Sequence, residues 1–352
     1  MTEKAKTIVR FNTWVHPEFL SRLDREDDIG LAVVEQDDED QTWPVVERAH
    51  AYQVQSSRDE LKEQWHVHDA FLKRAPNMLC VSTGGAGYDT VDVPACTDAG
   101  VLVVNQTGGN AVSVAEHVIG MIIDVSKRIT ETDRAMRSQP RGFAREVLMG
   151  REVSGRTIGI IGIGNVGTRV AKFAKAFDMT VLATDPFVDR DTVAVRGAEK
   201  VELDELLSRS DFVSLNCPRD SSTLGMMDAA AYAKMKKGAI LITTCRGGVH
   251  DEAALLDALQ SGHLGGAGLD VWDTEPPPLD YPLLALDNVV STFHTAGVTH
   301  EARAQMARFA SDQLVEVLNG KAPPRPVNPE VWPAYSRRFE NILGFYPQPF
   351  ET

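Results

Sequence analysis

Residues 156–177 read RTIGIIGIGNVGTRVAKFAKAF. A β-branched run, RTIGIIG, enters Gly162-Ile163-Gly164-Asn165-Val166-Gly167, and an amphipathic helical pattern follows. That is the context in which a G-x-G-x-x-G has meaning. The first glycine permits the tight turn, the second lets the main chain approach a pyrophosphate, and the third lets the helix pack on the strand. The helix N-terminus adds N–H groups and a positive dipole for the anion. The next strand pattern, TVLAT, ends at Asp185, where a carboxylate can accept hydrogen bonds from adenosine ribose hydroxyls and repel a 2′-phosphate. Pro186-Phe187-Val188 brings no arginine to receive such a phosphate. The expected cofactor is therefore NAD rather than NADP; the bland alternative is that Asp185 only caps a strand end.

Outward from this unit, β-rich runs alternate with helical patterns along most of the chain. Before it stand KTIVRF, GLAVVEQ, AYQVQ, MLCVST and VLVVN, separated by amphipathic stretches such as HPEFLSRL and HDAFLKRA. After it come TVLATD, FVSLNCP, AILITT, GAGLDV and NVVST, which with RTIGIIG make six strands. Such alternation predicts two doubly wound parallel-sheet domains, the second of them a Rossmann domain. Between the two series a helix is expected from Asn110 to about Ile129, with Val114, Val118, Met121, Ile122 and Val125 on an apolar face wide enough to suggest burial between domains or subunits. A last helix, about Thr299 to Leu318, is stopped by Asn319-Gly320 and leads into the proline-rich APPRPVNPEVWP, where the chain is expected to return to the first domain.

The length of 352 residues exceeds one usual hydrophobic core, and 43% hydrophobic with 24% charged residues is ordinary globular composition. A net charge of −14 disfavours nucleic acid and anionic membrane as partners, while leaving room for a local basic pocket that binds an anionic substrate. The charged start MTEKAKTIVRF does not read as a signal peptide and no run is long enough to span a membrane, so a cytoplasmic location is expected. Cys80, Cys96, Cys217 and Cys245 have no metal-site spacing and are expected as reduced thiols. His66 and His68 can share a strand face, but nothing nearby completes a metal site, and no metal is expected.

Three polar residues follow three successive strand patterns: Arg246 after AILITTC, Glu275 after GAGLDVWDT, and His294 after NVVSTF. Carboxyl ends of strands in an open α/β sheet form the ligand crevice, so all three can reach one place. Singly each has a dull explanation, as a surface ion pair, a loop charge before prolines, or a satisfied histidine. Taken together, the three can act on one ligand, a positioned imidazolium protonating an oxygen on which charge develops. A glutamate beside that ring favours its charged form, and an arginine holds a carboxylate as a fork.

With C-R-G-G at 245–248, G-L-D-V-W-D-T-E-P-P at 268–277 and F-H-T-A-G at 293–297 in this order, the chain resembles the D-isomer-specific 2-hydroxyacid dehydrogenases. The likeness runs from M-L-C-V-S-T-G-G-A-G-Y-D-T-V-D to N-G-K-A-P-P-R-P-V-N and includes S-V-A-E-H at 113–117. It implies an NAD-binding Rossmann domain at 109–298 inserted in a flavodoxin-like substrate domain formed by 1–108 and 299–352, and a homodimer through the NAD-binding domain. It implies that Arg246 holds the substrate carboxylate and carbonyl, that His294 is the acid/base and that Glu275 pairs with it. Ala86 and Gly87 become main-chain donors to the substrate carboxylate. Cys217, Pro218, Thr223, Thr244, Cys245, Asp270, Gly297 and Thr107 join the glycine loop as cofactor-side residues, with Val114 near the domain junction; Asp270 also admits a structural role at a strand end. The chain departs from the family pattern where Cys217 stands in place of a frequent histidine, where T-T-C-R replaces N-x-x-R, and over residues 43–64. Trp14, Trp65 and the tail aromatics Phe339, Phe345, Tyr346 and Phe350 are candidates for the pocket, the core or subunit contacts.

The implied activity is NAD-dependent hydride transfer at C2 of a small 2-hydroxy or 2-keto acid. The alternatives are a formate dehydrogenase, whose resembling form carries Gln where Glu275 stands, and an NADH-sensing corepressor on the same framework.

Overall fold

The computed structural model describes residues 5–138 and 144–350. The chain folds into two compact units, one made of the residues up to Asn110 with those from Thr299 onward, the other of Ala111–Val298.

In the first unit β1 (Lys6–Phe11), β2 (Ile29–Val34), β3 (Ala51–Val54), β4 (Cys80–Thr83) and β5 (Leu102–Val104) form a sheet in the order β2-β1-β3-β4-β5, every pair parallel. Period-two alternation divides its apolar residues between two faces. Ile8, Leu79 and Leu102 pack with Phe19, Leu314, Tyr335 and Phe339 on one side, and Val9, Tyr52 and Val81 with Trp43, Trp65 and Phe71 on the other. Trp65 and Phe339 are therefore core residues, whereas Trp14 is 69% exposed. The helix His300–Leu318 opens on a Thr299 cap that accepts from the Ala302 N–H at 3.2 Å and ends at Asn319, followed by Gly320 at φ 75°.

The second unit holds β6 (Thr157–Ile161), β7 (Thr180–Thr184), β8 (Glu199–Lys200), β9 (Phe212–Leu215), β10 (Ile240–Thr243), β11 (Gly266–Leu269) and β12 (Val289–Ser291), in the order β12-β11-β10-β9-β6-β7-β8. This is the doubly wound order, reversing between β6 and β9, with β12 extending one edge. Seven strands stand where six were expected. The addition is β8, two charged residues on the edge with no apolar alternation to announce them.

The helix expected from Asn110 to Ile129 runs Ala111–Lys127 and is broken by Arg128 at φ 57°; a separate helix, Ile129–Ser138, follows. Its wide apolar face is covered inside its own unit. Ala115, Val118, Met121 and Ile122 pack with Ile158, Ile160, Val170 and Ala171, against the helix Asn165–Ala176 and strands β10 to β12. Gly268 on β11 permits that approach, since a Cβ there would lie 2.9 Å from Met121. The breadth of the face thus needs no second subunit. Among the described residues, no helix is long and apolar enough to cross a membrane.

Candidate active site

The glycine loop leaves β6 and enters the helix Asn165–Ala176, and the three glycines serve three geometric purposes. Gly162 has φ 89°, and a Cβ on it would lie 2.9 Å from the Cys217 nitrogen. A Cβ on Gly167 would lie 2.2 Å from the Gly162 carbonyl oxygen, so the helix packs on the turn only without one. A Cβ on Gly164 would meet nothing within 4 Å. Gly164 is also the N-cap, and no side chain caps the helix there. First-turn N–H groups are thus left beside open space, the arrangement that receives a pyrophosphate.

Asp185, just past β7, braces this loop: its Oδ2 accepts the Ile163 N–H at 3.1 Å and its Oδ1 the Phe187 N–H at 3.0 Å. Arg196 approaches the same turn, donating to the Ile163 carbonyl at 2.7 Å. These residues suit a dinucleotide: the turn and helix N-terminus would offer N–H groups to its phosphates, and Asp185 a carboxylate to its ribose hydroxyls.

Arg246, Glu275 and His294 follow the carboxyl ends of β10, β11 and β12. His294 Nδ1 lies 2.8 Å from Glu275 Oε2, while Glu275 Oε1 accepts the Trp272 N–H at 3.0 Å. Each carboxylate oxygen is thereby fixed, one by the backbone and one by the ring. His294 itself sits in the left-handed region at φ 51°, a conformation that costs a non-glycine residue of order 1–3 kcal/mol and persists where surrounding structure imposes it. The surrounding structure here is Asp270. Its carbonyl accepts the His294 N–H at 2.8 Å, Oδ1 accepts from Thr292 Oγ1 at 2.6 Å and the Thr295 N–H at 2.8 Å, and Oδ2 accepts the Ala296 N–H at 3.0 Å. This fully buried carboxylate anchors the whole histidine loop, the structural role that the sequence admitted beside a cofactor contact.

Burial pulls the His294 pKa down, but the hydrogen bond and charge of Glu275 outweigh it, and the net displacement is upward. For Glu275 burial pushes upward, and the His294 hydrogen bond and charge, the Trp272 N–H and Arg246 together bring it below its usual value. Each partner thus favours the charged form of the other. Arg246 places a cation in the same field and donates to the Cys245 carbonyl at 2.7 Å.

Around this centre, Pro218, Thr223 and Cys217 belong to the turn after β9, which Thr223 Oγ1 closes by donating to the Pro218 carbonyl at 2.7 Å. The β9–β10 register pairs Leu215 with Thr243 and carries on toward Cys217 and Cys245. Hydrogen bonding between these two thiols pushes Cys217 up and holds Cys245 below its ordinary value. All four cysteines are free and buried. Thr244 and Gly297 are half-buried in the loops beside Arg246 and His294. Ala86, Gly87 and Thr107 belong to the other unit; the Ala86 carbonyl accepts from Asn105 Nδ2 at 2.9 Å, and the Thr107 N–H donates to Asn105 Oδ1 at 3.2 Å. Sequence reading missed Glu252, a buried carboxylate that takes the Asp273 N–H at 2.9 Å and the Tyr281 hydroxyl, bracing the Glu275 loop. His66 and His68 serve local structure: His66 Nε2 lies 3.1 Å from the Leu61 carbonyl, and His68 caps the helix Asp69–Arg74.

The family model described as "D-isomer specific 2-hydroxyacid dehydrogenase, NAD binding domain" matches residues 119–296, which contain the glycine loop, Arg246, Glu275 and His294. The chain belongs to this family. As a D-isomer specific 2-hydroxyacid dehydrogenase family member it is 38% identical to a D-3-phosphoglycerate dehydrogenase of Archaeoglobus fulgidus, over 81% of this chain and 53% of that protein. It is 39% identical to a glyoxylate reductase of Korarchaeum cryptofilum, over 74% of this chain and 79% of that one. The chain thus spans about half the length of the D-3-phosphoglycerate dehydrogenase. Among solved structures, a glyoxylate reductase from Paecilomyes thermophila superposes with a TM-score of 0.81 at 25% identity, covering 93% of this chain and 99% of that one.

Proposed function

We propose that the chain is an NAD-dependent oxidoreductase acting between nicotinamide and C2 of a small D-2-hydroxy or 2-keto acid. The observation that carries this is the His294–Glu275 pair, 2.8 Å apart, at the strand ends of an NAD-binding domain that also presents Arg246. Bound NADH supplies a hydride to the carbonyl carbon. The chain's own residues then deal with the charge: His294 Nε2, opposite the glutamate-bound nitrogen, donates a proton to the oxygen, and takes it back in the oxidation direction. Glu275 stabilises the imidazolium and fixes its orientation. Arg246 holds the substrate carboxylate, a planar fork that lysine cannot reproduce. The resemblance assigns main-chain N–H donors at Ala86 and Gly87 to substrate binding, which makes the first unit the substrate domain.

The names of the relatives suggest the first substrates to try. NADH oxidation measured with glyoxylate, hydroxypyruvate, 3-phosphohydroxypyruvate and phenylpyruvate should give steady turnover with at least one; none with any would remove this reading. A homodimer is proposed on the family resemblance alone, because the helix face that suggested it is filled internally. Light scattering at micromolar concentration that returns a monomer would count against it.

A further inference from the structure

The unit built around β1 to β5 has its own topological switch point, between β1 and β3, where the chain turns outward to β2 on one side and β4 on the other. Crevices at the carboxyl ends of strands flanking such a point are where open α/β sheets bind ligands. A cavity of about 400 Å³ lies there, lined by Arg10 on β1, Gln53 on β3, Gln55 and Trp14 in the following loops, and Arg303 and Met306 on the helix His300–Leu318.

Arg10 and Gln53 are register partners on adjacent parallel strands, so their side chains leave the same face of the sheet side by side. Both are buried, at 6% and 9% exposure. A buried arginine normally has a carboxylate beside it, because desolvating the cation is otherwise costly. Arg10 has none among the described residues; its hydrogen bond goes to the Thr13 carbonyl. Burial accordingly pulls its pKa down with no acidic neighbour to restore it. Arg303, half-buried across the cavity, also makes no ion pair with a described residue. The carboxylate on the lining is Glu60, at the exposed rim. Gln53 Oε1 and Gln55 Oε1 are buried without a partner, while the Gln55 amide nitrogen is spent on Thr13 Oγ1 at 2.6 Å. In a chain of net charge −14, two arginines and two unsatisfied amides converge on one concavity.

We infer that this cavity is an anion-binding site that takes the carboxylate or phosphate of a small hydroxylated organic acid, Arg10 and Arg303 holding the anion and the glutamine amides meeting the hydroxyl. Arg10 presents a rigid fork from the sheet, which suits a planar carboxylate or a phosphate edge. The exposed Trp14 ring stands at the mouth as an apolar wall for the carbon skeleton.

Isothermal titration of the full chain with inorganic phosphate, with NAD held at saturation so that the glycine loop is occupied and with no keto acid, tests the site and does not depend on turnover. Failure here therefore leaves the dehydrogenase reading intact, and the reverse also holds. Millimolar or tighter binding is expected, weakened at least roughly tenfold in Arg303→Ala, the loss of one charge-assisted contact, and abolished in Arg10→Met. Arg303 is not a core residue, so its variant tests the site even if Arg10→Met does not fold. No binding by the wild type, or equal binding by wild type and Arg303→Ala, would overturn the proposal. The origin of the anion follows from kcat/KM for 3-phosphohydroxypyruvate divided by that for glyoxylate. A ratio lowered about tenfold in Arg303→Ala identifies the anion as the far end of the substrate. An unmoved ratio with weakened phosphate binding identifies a separate small acid; both results support an anion site.

Discussion

His294 Nδ1 and Glu275 Oε2 are 2.8 Å apart, and the only strained φ within this pair belongs to the histidine. The contact sets the direction in which acidity changes when it is broken. Glu275 raises the His294 pKa against the pull of burial, so Glu275→Gln, which keeps a hydrogen bond and removes the charge, lets burial prevail. Keto-acid reduction needs the protonated ring, and the alkaline limb of its kcat/KM profile should move to lower pH. Hydroxy-acid oxidation needs the neutral ring, and its acidic limb should move the same way. Limbs that stay in place would mean that another group carries the proton.

Removing the ring itself should affect chemistry and leave cofactor binding nearly unchanged. His294→Ala is expected to lower kcat by roughly two to four orders of magnitude, the usual worth of a positioned general acid. NADH affinity, followed by fluorescence titration, should stay within a few-fold of wild type. A near-normal kcat would show that the proton donor is misassigned.

The glycine loop allows binding to be separated from folding. A methyl group on Gly164 meets nothing in the protein, so Gly164→Ala should keep the thermal transition near that of wild type while weakening NADH, whose phosphates need that approach. A methyl group on Gly167 would sit 2.2 Å from the Gly162 carbonyl oxygen, so Gly167→Ala should lower Tm by several degrees as well. Equal Tm losses in the two variants would contradict these separate roles.

These features differ in how far the sequence could announce them. The glycine turn and the strand ends bearing Arg246, Glu275 and His294 were legible because each is local: a β-branched run, then a turn or polar residue. The edge strand β8 carries no such pattern; the break at Arg128 falls at the expected end of the helix, but the separate helix Ile129–Ser138 buries no residue and so has no apolar face to announce it. The width of the helix Ala111–Lys127 was visible, but its cause, a sheet on one side and a helix on the other, is tertiary. The pairing of Arg10 with Gln53 depends on β1 lying beside β3, which only the sheet order reveals. Trp65 could be placed in the core only once Trp43, Phe11 and Phe71 were seen around it.

Cofactor choice should depend on Asp185. Its carboxylate braces Ile163 and Phe187 and adds negative charge where a 2′-phosphate would have to sit. Wild-type kcat/KM should favour NADH over NADPH. Asp185→Asn keeps an acceptor for the loop and removes the charge, so the NADH/NADPH ratio should fall by about tenfold or more, as expected when a charge-charge repulsion of roughly 1–2 kcal/mol is relieved. An unaltered ratio would place cofactor discrimination elsewhere in the loop.

His250 lies four residues beyond Arg246 and outside the proton path. It is 1% exposed, and neither ring nitrogen has a hydrogen-bond partner among the described residues. Burial lowers its pKa, and the charges of Asp273 and Asp251 pull the other way without overcoming it. The folded state therefore holds a neutral imidazole, and the unfolded chain binds a proton more readily. Stability must then fall as pH drops below about 6.5, the ordinary histidine value, because unfolding takes up that proton. Above that pH the proton contribution vanishes, and the unsatisfied ring nitrogens remain as a cost of about 1–3 kcal/mol. His250→Leu removes both effects at similar volume. Its Tm should exceed that of wild type at about pH 8, and the excess should widen at about pH 5.5. A Tm difference that is the same at both pH values would show that His250 does not titrate differently in the folded and unfolded chains.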